Sequence, residues 1–145
     1  MPLKPVQPAL LSSGLPVAVG QQERISRFVV YERWFNAQLL YIKAAAFLPD
    51  RDRVTSIFRT TNVSEEDIWQ IGTTVAATRQ GGSLHARGDL PASDIRSANL
   101  DVTAAEPPAR HGLITGWSQE KDGQKYVAVQ LAAAAKLIIS PARQS

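Results

Sequence analysis

The sequence predicts an α+β domain, with helices packed on one face of a mainly antiparallel or mixed sheet. Three observations lead there. The first half of the chain carries short β-branched and aromatic runs, a capped amphipathic segment follows at Ser64, and strand-like and helix-like periods then alternate loosely to the C-terminus. At 145 residues with 44% apolar and 20% charged side chains, the chain matches one globular core rather than a disordered or multidomain polypeptide.

Residues 1–20 hold Pro5, Pro8, Gly14 and Pro16 without a helical or strand period, so an extended or disordered arm is expected there. The domain itself is expected over 21–140, and a tail over 141–145. Ile25 to Tyr31 is rich in β-branched and aromatic residues and reads as a strand. Ile42 to Leu48 precedes Pro49 and the charged turn Asp50–Arg53, and a strand is expected there as hairpin partner of Val54 to Phe58.

Ser64, followed by Glu65, Glu66 and Asp67, combines an N-cap with first-turn acids that suit the helix dipole. Ile68, Ile71 and Val75 then recur on one face, and Arg79, Gly81 and Gly82 end the helix, giving about 65–79. Leu84 to Leu90 alternates as a strand, Pro91 suits the first position of a short helix (about 91–98), and Leu100 to Val102 reads as a brief strand. His111 to Trp117 is a further strand. A last helix is expected over about 120–138, with Tyr126, Val127, Leu131, Leu137 and Ile138 near one face and Pro141 as its stop.

Composition removes several chemistries. With no cysteine there is no disulfide, thiolate nucleophile or cysteine-held metal. The two histidines lack a usual ligand spacing, so neither a metal nor a cofactor is implied. The broken apolar stretch at the start makes a poor export signal and no later run spans a bilayer, so a cytoplasmic protein without membrane contact is expected. Gly81-Gly82-Ser83 follows a helix instead of preceding one, which makes it a helix stop and not a phosphate cradle. Arg87-Gly88-Asp89 spells an adhesion tripeptide, a coincidence in a chain without an export signal.

Charge suggests where partners bind. The net +3 arises in residues 1–60, which hold eight basic and four acidic side chains against eight and nine in 61–145; arginine outnumbers lysine eleven to five. Arg24, Arg27 and Arg33 interleave with Phe28, Tyr31, Trp34 and Phe35, and strand alternation would set Arg27, Tyr31 and Arg33 on one face. Such a face suits phosphate neutralisation and base stacking, with Arg24, Arg27, Tyr31, Arg33 and Trp34 as contact residues; core packing with arginines paired to Glu23 and Glu32 is the plainer reading. His85, Arg87 and Asp89 alternate on one strand at roughly 6.6 Å intervals. With His111 beside them they would make an acid–base pair and an anion clamp; a solvated strand face is the plainer reading. Trp69, Trp117 and Tyr126 suit either core packing or a protein interface.

The leading expectation is therefore a non-catalytic binding or assembly module, an accessory subunit that contacts nucleic acid or a larger protein complex through residues 1–35. The alternative is a small enzyme acting on an anionic substrate with His85, Arg87, Asp89 and His111. Self-association is compatible with both, and convergence of His85 and His111 in one pocket separates them.

Overall fold

In the computed structural model, which describes residues 9–144, the chain forms an α+β domain around one six-stranded sheet. Its strands are β1 (Arg24–Val29), β4 (Thr55–Arg59), β5 (Ala86–Pro91), β6 (Asp101–Ala104), β7 (His111–Thr115) and β8 (Lys136–Ile139), in the spatial order β6-β7-β4-β1-β5-β8. Every pairing is antiparallel. A separate two-stranded hairpin joins β2 (Phe35–Asn36) to β3 (Tyr41–Ile42).

The helices α1 (Glu65–Ala77), α2 (Ala92–Ser97) and α3 (Lys121–Ala134) complete the domain, with a terminal turn α4 (Pro141–Gln144). α1 begins where its cap predicts, since the Ser64 hydroxyl accepts from the Asp67 N–H at 3.2 Å. Ile68, Gly72 and Ala76 form its buried stripe at four-residue spacing. That stripe lies over Phe28 of β1, and α3 covers the opposite face together with β3 and the 3-10 turn Ala44–Ala46. Helices thus flank the sheet on both sides, not on one as expected, because apolar side chains from both faces of β1 and β4 are buried. Ile25, Val29 and Ile57 fill one side, and Phe28 with Phe58, whose rings lie 5.9 Å apart, fill the other.

Two expected elements differ. The segment 42–48 is not a strand beyond Ile42; Phe47 is sunk fully into the core by the turn Ala44–Ala46, and β4 pairs instead with β1 and β7. The last helix ends at Ala134. Ala135 is extended (φ −76°, ψ 139°), and Lys136–Ile139 becomes edge strand β8. Leu137 and Ile138 are adjacent in sequence and belong on opposite faces of a strand, which helical periodicity cannot satisfy. Pro141 begins α4 instead of ending α3.

The expected arm divides. Residues 1–8 lie outside the described residues, while residues 9–20 lie against the domain. The fully buried Arg59 guanidinium holds this segment, donating to the Pro16 carbonyl at 2.7 Å and to the Ala18 carbonyl at 3.4 Å, while Glu23 accepts from its Nε and Nη2 at 2.7 and 2.8 Å. Glu106 accepts from the Ser13 N–H at 3.1 Å and Arg96 donates to the Val19 carbonyl at 2.8 Å, so side chains distant in sequence anchor this backbone, contacts that secondary-structure periodicity does not encode. Val19 joins the core at 6% exposure.

Close packing of α1 on the sheet depends on Gly72, where an added Cβ would lie 2.7 Å from two atoms of the Phe28 ring. Gly72→Ala should therefore destabilise the domain by about 1–3 kcal/mol in urea denaturation, overpacking outweighing the gain in helix propensity. A stabilised variant would mean that the ring moves aside freely.

Candidate functional site

The sequence-predicted residues fall into four separate places. Arg87 and Asp89 project from β5 toward α1, and both are buried. The Arg87 Nε donates to both Asp89 oxygens at 3.1 Å, and its two terminal nitrogens donate to the two Glu65 oxygens at 2.9 Å each. The guanidinium also faces the Trp69 ring at 4.7 Å. Asp89 accepts in addition from the Ser26 hydroxyl at 2.6 Å, and Ser26 meets Thr60 at 2.7 Å. Arg24 closes this network, donating through Nε to the Thr60 hydroxyl at 3.1 Å and through Nη2 to the Thr60 carbonyl at 2.8 Å. A guanidinium whose three nitrogens are all bonded to carboxylates pins a helix to a sheet; it is not free to clamp a substrate.

His85 lies just before β5, where the Arg143 guanidinium donates to its Nδ1 and the Phe35 ring stands 5.7 Å away. Burial, and then the positive charge of Arg143, lower its pKa below the usual histidine value, with Glu32 opposing. His111 lies on β7. Between it and Asp89 stand Phe58 and Ser26, one from each intervening strand. His85 continues the line of β5, donating its backbone N–H to the Val29 carbonyl of β1, so three interstrand steps hold the two histidines about 14 Å or more apart and they do not converge.

His111 has its own partners. Its Nδ1 lies 2.8 Å from the Ala105 carbonyl and its Nε2 lies 2.7 Å from the Ser56 hydroxyl. Both side chains border a cavity of about 420 Å3 whose apolar wall is Phe58, Ile71 and Val75 and whose rim includes Thr78 and Arg79.

The arginine–aromatic segment is largely turned inward. Arg27 and Trp34 are only 7% and 8% exposed, with the Arg27 guanidinium 4.9 Å from the Trp34 ring. Arg27 donates to the Ala46 carbonyl at 2.7 Å and the Ser56 carbonyl at 2.9 Å. Burial, then the neighbouring Arg79, pull its pKa down to about 9 against the pull of Asp50. Tyr31 meets Trp34 edge-on at 4.9 Å and carries Arg33 over its ring at 4.3 Å, leaving Arg33 the exposed member.

A different surface stands out for its exposure. Leu39 and Leu40 in the β2–β3 connection are 72% and 64% exposed, Tyr41 46%, and on α3 Tyr126 and Val129 are 71% and 57% exposed. Between hairpin and helix runs a groove of about 560 Å3, lined by Leu40, Tyr41, Val129, Ala132, Ala133 and Leu137. The sequence carried a signal for this ledge that composition alone missed: Leu39-Leu40, running into Tyr41 of β3, is an apolar pair in an irregular connection, where solvent-facing residues are ordinarily polar. Ser56 was legible only through its partner strand. Of the three aromatic residues left open between core and interface, Trp69 stacks on Arg87, Trp117 is 6% exposed in the core, and Tyr126 is on this ledge.

Among the described residues no cluster of three His, Asp or Glu side chains is placed to hold a metal, and no helix is long and apolar enough to cross a membrane. Bonding to Arg87 holds the Glu65 carboxyl below its ordinary value of 4.5, against the opposing effect of burial. A carboxyl with a depressed folded pKa adds stability above its unfolded pKa, and that contribution is lost as pH falls through the folded value. Thermal midpoints should therefore fall as pH drops below 4.5, and Glu65→Gln should lower the neutral-pH midpoint while making the acid side shallower. An unchanged acid slope in Glu65→Gln would contradict the pairing. Comparison with known proteins adds no relative: no family model, no curated protein and no solved structure matches this chain.

Proposed function

We propose that this protein is an assembly module that pairs with a second copy of itself through the apolar ledge formed by the β2–β3 connection and α3. The observation that carries this reading is that three exposed large apolar residues, Leu40, Tyr41 and Val129, line one groove, with two more, Leu39 and Tyr126, exposed on the same connection and helix. A contiguous apolar patch rimmed by polar side chains marks an interaction surface, whereas single exposed leucines are ordinary.

The shape of the ledge selects its occupant. Leu39 is exposed next to Leu40, which lines the groove, and the small side chains Ala132 and Ala133 line the groove as well. A protrusion and a recess side by side on one surface are self-complementary under a two-fold axis, which sets each Leu39 against the partner's alanines. Tyr41 and Tyr126 add the amphipathic aromatics common in interface centres. The Arg24–Trp34 segment supports the same ranking, because Arg27 and Trp34 are committed to one another within the domain and leave Arg33 as the exposed basic side chain of that set.

Sedimentation velocity across micromolar to near-millimolar concentrations tests the proposal. The unaltered chain should move toward a dimer, and the Leu40→Asp, Val129→Asp double variant should remain a monomer with an unchanged circular dichroism spectrum, since both side chains are exposed. A monomer at every concentration, or a dimer that survives both aspartates, would overturn the reading.

A further inference from the structure

On the far side of the sheet from that ledge, we propose a serine–histidine acyl-transfer site in which Ser56 is the nucleophile and His111 the general base. The two stand on neighbouring strands β4 and β7, where Phe58 pairs with His111 and Ser56 is two residues away on the same face. The Ser56 hydroxyl and the His111 Nε2 are 2.7 Å apart.

The second ring nitrogen decides the direction of this bond. His111 Nδ1 lies 2.8 Å from the Ala105 carbonyl, which can only accept, so in the neutral imidazole the proton resides on Nδ1. Nε2 then presents its lone pair to Ser56, and the hydroxyl donates. A nucleophile bonded to a base that a third group orients is the arrangement that activates a serine. The Ala105 carbonyl is the positioning group, and its loop is fixed: the Ala105 N–H donates to the His111 carbonyl at 2.9 Å, and Glu106 accepts from the Ser13 hydroxyl at 2.5 Å and the Arg110 N–H at 3.0 Å.

The cavity in front of the pair gives the substrate class. Phe58, Ile71 and Val75 make an apolar wall suited to the acyl chain of a carboxylic ester, and Arg79 supplies positive charge at its rim. Attack of the Ser56 oxygen on the ester carbonyl passes the hydroxyl proton to His111 Nε2. Collapse of the tetrahedral adduct breaks the carbonyl–alkoxide bond, and the alkoxide leaves with that proton. Water, deprotonated by His111, then cleaves the acyl-serine to a carboxylic acid and restores Ser56. No oxidant or reductant is required.

A fluorophosphonate probe tests the site without a known substrate, because an activated serine displaces its fluoride and keeps the phosphonyl group. Intact-mass analysis should show one adduct per chain, mapped by fragmentation to Ser56, and p-nitrophenyl butyrate should be hydrolysed. Ser56→Ala, a small change at a half-buried position, should abolish both. His111→Gln should slow labelling at least about 100-fold, with folding checked by circular dichroism. No adduct on the unaltered chain, or an adduct that maps elsewhere or persists in Ser56→Ala, would overturn the proposal.

Discussion

The buried guanidinium of Arg87 is the constraint on which much of this structure rests. It stands fully buried on an interior strand, so its charge has to be compensated where it lies, and both Glu65 and Asp89 are bonded to it. Glu65 is the first residue of α1, so the same ion pair that satisfies the sheet's charge also fixes where that helix begins. From there Asp89 passes the constraint through Ser26 to Thr60, which locks β1 against the end of β4. Removing Arg87 would leave the buried Asp89 without its cation, a larger loss than the pair's own net stabilisation. Arg59, the last residue of β4 and the neighbour of Thr60, repeats the device on the other face of the sheet, where Glu23 and the carbonyls of Pro16 and Ala18 surround it.

This arrangement divides the domain into faces with different tasks. α1 is held against one side of the sheet by charge at its N-terminus and by Gly72 on Phe28 further along. Toward its C-terminal part, α1 and the 105–110 loop leave the cavity that Ser56 and His111 border. On the other side, α3 packs on the turn Ala44–Ala46 through its inner residues Ala128 and Leu131 and keeps Tyr126 and Val129 outward. An outward apolar stripe on a helix whose inner stripe is already satisfied is free to meet another molecule. Assembly and acyl transfer would then use opposite faces of one sheet.

Local signals in the sequence reported the elements that local physics controls. The Ser64 cap and the acids after it are short-range, and α1 begins where they put it, while it ends at Ala77 with Thr78 as its cap, two residues before the expected Arg79, and Gly81 at φ +71° turns the chain beyond it. The strands 25–31, 54–58 and 111–117 were readable because β-branched runs suit a pleated buried surface. What failed depended on tertiary contacts. The alanines 132–135 favour helix by propensity, yet pairing with β5 draws Lys136–Ile139 into the sheet. Likewise Ala44–Ala46 takes a tight turn that carries Phe47 into the core. The site residues show the same limit: strand alternation correctly put Arg87 and Asp89 on one face, but not the Glu65 that faces them from another element. Nor does the linear sequence show that His111 meets Ser56, 55 positions earlier, instead of His85.

The pairing of two copies through the ledge can be read directly, because a cysteine-free chain lets one introduced thiol act as a unique reporter. Protein carrying Leu39→Cys, mixed with protein carrying Ala133→Cys under mild oxidation, should form a mixed disulfide, since the proposed two-fold contact sets position 39 of one copy beside position 133 of the other. A disulfide requires the two Cα atoms to approach within about 7 Å, so the mixed species should exceed that from Leu39→Cys paired with a thiol at Thr74, on α1 across the sheet. Equal yields from the two mixtures, or none from the first, would contradict the assembly proposed here.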